Sequence, residues 1–238
     1  MSIPSLVAAL VVTFIAAAIQ GVVGMGFAMV SVPILALIDP SLAPVPQLLV
    51  TLPLTVSMAW KERHHIQPAT IGWTIGGRLP GAIIGVGLLA IATQTTLDLA
   101  IAATVIGAVV IIASGYHLTR TSASEFGAGV LSGISSLIAS IGGPPLALLY
   151  TRDDGPTIRS NLAATFSIGL VITITARAVS GNISYSDVRV AVIIFPALVA
   201  GYLVSLRLKN RVSQPVVKNG VLVVSLIGAI GLIIRTII

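Results

Sequence analysis

The first 38 residues contain no Asp, Glu, Lys or Arg, and from Ile3 to Ile38 they form one apolar stretch. A single membrane-crossing helix takes about 20 such residues, so this stretch is too long to cross once. Its middle reads "GVVGMGFAMVSVP" (21–33), with Gly21, Gly24 and Gly26 close together and Pro33 a little further on. Glycine weakens a helix and proline breaks one. A broken backbone in hydrocarbon leaves N–H and C=O groups that lipid cannot satisfy, so such a break is tolerated only when it is buried in protein or lines a wet cavity. The opening stretch therefore implies a helical bundle around it.

The rest of the chain fits that requirement. Its 238 residues are 56% hydrophobic and 8% charged, with a mean hydropathy of +1.07, whereas a soluble domain carries about 25% charged residues. The apolar runs are continuous, which speaks for helices over the alternating strands of a membrane β-barrel. "MSIPSLVAALVV" lacks the basic region that opens a cleavable signal peptide. With no cysteine, disulfides, iron–sulfur clusters, thiolate metal sites and sulfur relays are excluded. The net charge of +6 reads as the excess of Lys and Arg in cytoplasmic loops rather than as a nucleic-acid surface. The expected surroundings are a lipid bilayer, with no nucleic acid.

Polar breaks divide the chain into apolar stretches at roughly 3–38, 46–60, 68–92, 97–116, 126–150, 158–180, 187–206 and 215–237, and no linker marks a second domain. "SASE" (122–125) has the pattern of a capping box. The halves resemble each other. Gly21 and Pro33 are spaced like Gly133 and Pro145 in "GISSLIASIGGPP"; "QLLVT" (47–51) matches "NLAAT" (161–165); "PGAIIG" (80–85) matches "PALVAG" (196–201); "QTTLDLAIAATVIGA" (94–108) matches "QPVVKNGVLVVSLIG" (214–228). This order predicts one integral membrane domain, 1–238, built from a duplicated four-segment unit: repeat 1 over about 1–118 and repeat 2 over about 119–238.

Charge then sets the topology. If every stretch crossed once, "KERHH" (61–65) and "RLKNR" (207–211) would fall on opposite sides. If stretches 3–38 and 126–150 each cross an even number of times and the chain starts outside, Lys61, Arg63, Arg120, Arg152, Arg159, Arg207, Lys209, Arg211 and Lys218 all fall inside. Both termini are then periplasmic and the two halves are inverted, a common construction of secondary transporters. Residues 126–150 are too few for two full spans, so they are expected to form a re-entrant hairpin of two half-helices, turning near "GISSLIASIGGPP". Its counterpart turns near "GVVGMGFAMVSVP". The fold expected is an all-α membrane protein of two inverted repeats, each opening with a re-entrant or broken helical hairpin. A half-helix that starts inside the membrane offers free N–H groups and a positive dipole end, which suit an anion.

On "GVVGMGFAMVSVPILAL" (21–37), its weaker second copy "GISSLIASIGGPPLALLY" (133–150), the small size and about eight hydrophobic stretches, the chain resembles the sulfite exporter TauE/SafE family. The resemblance implies transport of a small sulfur-containing or carboxylated anion, such as sulfite, sulfoacetate or a related organosulfonate, across a prokaryotic inner membrane. In "GMGFAM", Phe27 and Ala28 stand where family members often continue with glycines, which leaves the substrate subgroup open.

Candidate substrate-binding residues follow. Arg78, in "GGRLPG", lies deep in its span with no acidic partner evident. It reads either as an anion ligand or as an arginine snorkelling to the headgroups. Gln47, Thr51, Asn161 and Thr165 are repeat-related polar residues able to hydrogen-bond an oxyanion or a neighbouring helix. Ser132, Ser135, Ser136 and Ser140 populate the second hairpin and Gln20 and Ser31 the first, with Gln20 and Ser136 favoured. Gly24, Gly26, Gly142 and Gly143 would present backbone at the two turns. His64, His65 and His117 read as surface residues, Arg177 as an interface residue, and Trp60 and Trp73 as interface anchors. No catalytic residue, cofactor or metal ligand is expected. The leading function is export of a small anion by potential-driven uniport. The alternatives are an ion-coupled importer of a carboxylate or sulfur compound, or a non-transporting assembly subunit. An intramembrane enzyme lacks its acid pair or nucleophile. A homodimer is an admissible assembly.

Overall fold

The computed structural model describes residues 2–116, 118–150, 154–209 and 211–238, so His117 and Arg152 lie outside the described residues. Among the described residues ten α-helices follow one another: α1 (Ile3–Val23), α2 (Phe27–Ile38), α3 (Val45–Lys61), α4 (Pro68–Ile91), α5 (Gln94–Ala113), α6 (Ser122–Ala139), α7 (Gly143–Ala147), α8 (Gly155–Val179), α9 (Tyr185–Leu208) and α10 (Gln214–Ile237). There is no strand among the described residues. Seven of these helices, α1, α3, α4, α5, α8, α9 and α10, are long and apolar enough to cross a membrane.

Their starts are written in local chemistry. The Ser2 hydroxyl accepts from the Ser5 N–H, and Thr93 does the same for Thr96. Ser184 and Asp187 form a reciprocal box at the start of α9. The box expected at Ser122–Glu125 forms one residue earlier, between Thr121 and Ser124. The Glu125 carboxylate is drawn off instead to Arg120, 3.6 Å away.

Both hairpin-forming stretches are broken, but not into equal halves. By the 1.5 Å rise per residue, α1 is about 32 Å long and α6 about 27 Å, against about 18 Å for α2 and about 8 Å for α7. The expected pair of half-helices is therefore corrected to a long helix followed by a short return. The second break falls at Ser140–Gly142, within the "GISSLIASIGGPP" stretch where the turn is expected. Gly21 and Gly133 are not turn residues. They lie inside α1 and α6 and let those helices press on α9 and α4: a Cβ on Gly21 would collide with Ser205, and one on Gly133 would lie 2.8 Å from the Arg78 carbonyl oxygen. The close α4–α6 contact continues along Gly77, Gly81 and Gly129, where an added Cβ would meet the opposing backbone. Such small-residue seams drive helix association in lipid, where the hydrophobic effect offers little.

The packing pairs are α1 with α9, α4 with α6, α3 with α8, α5 with α10, and the crossed contacts α3 with α9 and α4 with α8. One end of the bundle gathers the loops after α3, α5, α7 and α9. Glu62 pairs there with Arg159 at 2.9 Å and with Lys209 at 3.1 Å, and the Leu118 N–H donates to the Leu148 carbonyl at 3.1 Å. "KERHH" and "RLKNR" thus share one face, which a single crossing per stretch does not allow. At the other end, Arg235 of α10 donates to the Ala36 and Leu37 carbonyls at the end of α2.

Candidate functional site

Two helix breaks face each other in the interior. At the first, Gly24 ends α1 and Gly26 caps α2, at φ +93° and +114°, a backbone region that side chains other than glycine's rarely enter. Gln20 locks this turn. Its side-chain carbonyl oxygen accepts the Phe27 N–H at 3.0 Å, which satisfies one of the free donors at the head of α2. At the second break, Ser140 sits at φ +58°. The Ser132 hydroxyl donates to the Gly142 carbonyl at 2.5 Å, and Arg177 donates to the Leu137 and Ile138 carbonyls at the end of α6. Arg177 is therefore not an interface residue. It is 3% exposed and completes the hydrogen bonding of a helix end, where a cation also opposes the negative end of the helix dipole.

Between the breaks lies a cavity of about 40 Å³. Gln20, Thr51, Arg78, Ser136 and Ser140 form its polar wall, Met25, Met29, Ile141, Phe166 and Leu170 its apolar wall, and Gly26, Gly142 and Gly143 its backbone rim. Of the residues named from the sequence, Gln20, Gly26, Thr51, Arg78, Ser136, Gly142 and Gly143 thus meet in one place. The others do not. Gly24 packs on Arg159; the Gln47 amide donates to the Leu42 carbonyl at 3.3 Å; Asn161 accepts the Gln67 N–H at 2.8 Å; Thr165 lends its carbonyl to Arg78. These last three do not line the cavity, and Gln47 Oε1, Asn161 Nδ2 and Thr165 Oγ1 are buried without a partner.

Arg78 is the one ionisable group among the described residues that line this cavity. It is 1% exposed, so its side chain turns into the protein and does not snorkel. Nη1 donates to the Thr165 carbonyl at 3.3 Å, while Nε and the Ser140 hydroxyl have no partner. The guanidinium lies flat on α8 because Gly169 has no side chain there, and Nη2 lies where a Cβ on Gly142 would come within 2.9 Å. A guanidinium can bind an oxyanion with its planar fork, which matches two oxygens at once. Buried polar groups are ordinarily satisfied, and Arg78 and Ser140, which carry these two unpaired atoms, both line the cavity.

Several contributors carried little signal. Met25 and Phe166 are ordinary apolar residues. Ser140 was one serine among four. Gly169 had a trace, since Thr165, Gly169 and Thr173 recur every fourth residue along one face of α8. The Ser136 and Thr173 hydroxyls lie 3.2 Å apart across α6 and α8. Met25 also borders a wider vestibule of about 460 Å³ at the loop-rich end, lined by Tyr116, Lys218 and Asn219 among others. Met25 is the residue that lines both this vestibule and the central cavity. His64 and His65 are exposed, and no group of three or more His, Cys, Asp or Glu among the described residues is arranged to hold a metal ion. Trp60 and Trp73 are also exposed, with Arg63 stacked 5.0 Å over the Trp60 ring.

Against known families, the model described as sulfite exporter TauE/SafE matches residues 9–232. No curated protein and no solved structure gives a significant match.

Proposed function

The chain belongs to the sulfite exporter TauE/SafE family, and from that membership we propose that it carries a small sulfur-containing oxyanion or organosulfonate across the membrane, with the cavity between the two breaks as its binding site. The observation that carries this reading is Arg78: a cation held in the interior at high desolvation cost, with no carboxylate bonded to it and with donors left over on a cavity.

The proposed construction is an inverted duplication that pairs α1 with α6, α2 with α7, α3 with α8, α4 with α9 and α5 with α10. Its support is the packing. The contact of α1 with α9 has its image in α6 with α4, α3 with α9 has its image in α8 with α4, and the α3–α8 and α5–α10 contacts map onto themselves. Pro80 and Pro196 lie inside the matching helices α4 and α9, and Gln94 and Gln214 open the matching helices α5 and α10. The repeats differ where it matters for access. α7 is five residues long against twelve in α2, and the residues at its end, Ala147, Leu148 and Tyr150, line the vestibule at the loop-rich end. We read the loop-rich face as cytoplasmic and this conformation as facing it, with Met25 between vestibule and site. Because the chain is free of cysteine, an Arg211→Cys variant tests the orientation: a membrane-impermeant thiol reagent labels it in inside-out vesicles and not in intact cells. Labelling in intact cells inverts the topology.

With the cytoplasm negative, outward movement of one negative charge gains roughly 2.3 kcal/mol per 100 mV, enough for a gradient of about fiftyfold. Export by uniport needs no coupling ion. In liposomes loaded with sulfite and clamped with potassium and valinomycin, efflux is expected to rise when the interior is made negative and to ignore a pH gradient once substrate protonation is controlled. Flux that follows a proton or sodium gradient instead would assign the protein to ion-coupled import.

A further inference from the structure

Granting that the central cavity binds the transported anion, its charge census goes further: we infer that the site selects monovalent oxyanions carrying at most a small apolar substituent, and rejects divalent and zwitterionic sulfonates. The cavity wall holds one cation and no anion among the described residues. The charged groups on the helices packed around Arg78 are spent elsewhere. On α6, Glu125 pairs with Arg120. On α8, Arg159 is held by Glu62, and Arg177 by the carbonyls that end α6.

A monoanion bound to Arg78 leaves the cavity neutral. A dianion leaves one uncompensated charge out of water, and a buried charge without a partner is strongly disfavoured. A zwitterion such as taurine brings an ammonium group that finds no carboxylate. The hydroxyls of Ser136 and Ser140 and the guanidinium supply the polar lining for an oxyanion head, and Met29, Ile141, Phe166 and Leu170 supply the apolar lining. That apolar lining accepts a methyl or ethyl group and offers nothing to a second carboxylate. Hydrogensulfite and short alkanesulfonates match both. Sulfoacetate, sulfate and taurine do not.

The test varies the net charge on a sulfonate head and adds sulfate as a dianion with no carbon substituent. Purified full-length protein in lipid nanodiscs is titrated calorimetrically at neutral pH with methanesulfonate, ethanesulfonate, sulfoacetate, taurine and sulfate. Methanesulfonate and ethanesulfonate are expected to bind at least about tenfold more tightly than the other three, a difference of about 1.4 kcal/mol. Met29→Lys, which adds a second cation to the wall, is expected to reverse the order in favour of sulfoacetate. If that variant does not insert, the wild-type series still decides. Sulfoacetate or sulfate binding as tightly as methanesulfonate to the wild type overturns the charge selection and leaves anion transport standing. Failure of every anion to bind overturns both.

Discussion

Replacing Arg78 by glutamine is expected to lower anion flux at least about a hundredfold, equivalent to roughly 3 kcal/mol of lost binding, while the protein still inserts and purifies. The physical reason lies in what Arg78 does not do. Among the described residues it forms no ion pair; its bond is to one backbone carbonyl, which offsets little of its desolvation. Such a group works against stability, since replacing buried charges with apolar residues of similar volume is often neutral or stabilising by about 1–4 kcal/mol. Arg78→Met is therefore expected to raise the thermal unfolding temperature and abolish transport together. Arg78→Lys keeps the charge but loses the planar fork, so partial recovery is expected. Flux at the wild-type level in Arg78→Gln, or a marked fall in unfolding temperature in Arg78→Met, would mean that the arginine holds helices together and does not meet the anion.

The difference between legible and hidden parts of this molecule follows from the range of the interactions. The spans were legible because hydropathy is a property of each segment alone. The breaks at Gly24–Gly26 and near Gly142 were legible because glycine and proline act on their own backbone. How far each broken helix runs was not. α6 continues through Gly129 and Gly133, which locally weaken a helix, because α4 needs both glycines for its close approach. The depth of Arg78 showed as a charge in an apolar run, but its carbonyl partner lies 87 residues away. Glu62 and Arg159, which tie the loop-rich end together, are 97 residues apart. The likeness of Gln47 and Asn161 was visible, yet an amide serves a neighbouring helix as readily as a ligand, and only packing decides between them. Arg177 was misplaced for the same reason. A charge near a span end looks like an anchor until the carbonyls of another helix are seen beside it.

Gly169 offers the sharpest separation of site from scaffold. A Cβ there would overlap the Arg78 guanidinium, and no backbone lies among its nearest neighbours. Gly169→Ala should therefore push aside the far end of a flexible side chain and leave the bundle intact. Because the displaced group is the proposed anion ligand, a shift of about 1 Å is expected to lower flux by about tenfold to a hundredfold. Gly107→Ala is the control, since nothing lies within 4 Å of a Cβ at that position, and it should transport normally. The coupling is checked by a double-mutant cycle on thermal stability. In the wild-type background the new methyl group meets the guanidinium and lowers the unfolding temperature. In the Arg78→Gln background the shorter side chain makes room, and the effect is expected to shrink, giving an interaction of about 0.5–3 kcal/mol between the two positions. Equal destabilisation in both backgrounds would place the clash in α8 packing, and Gly169 would then be a spacer between helices with no hold on the position of Arg78.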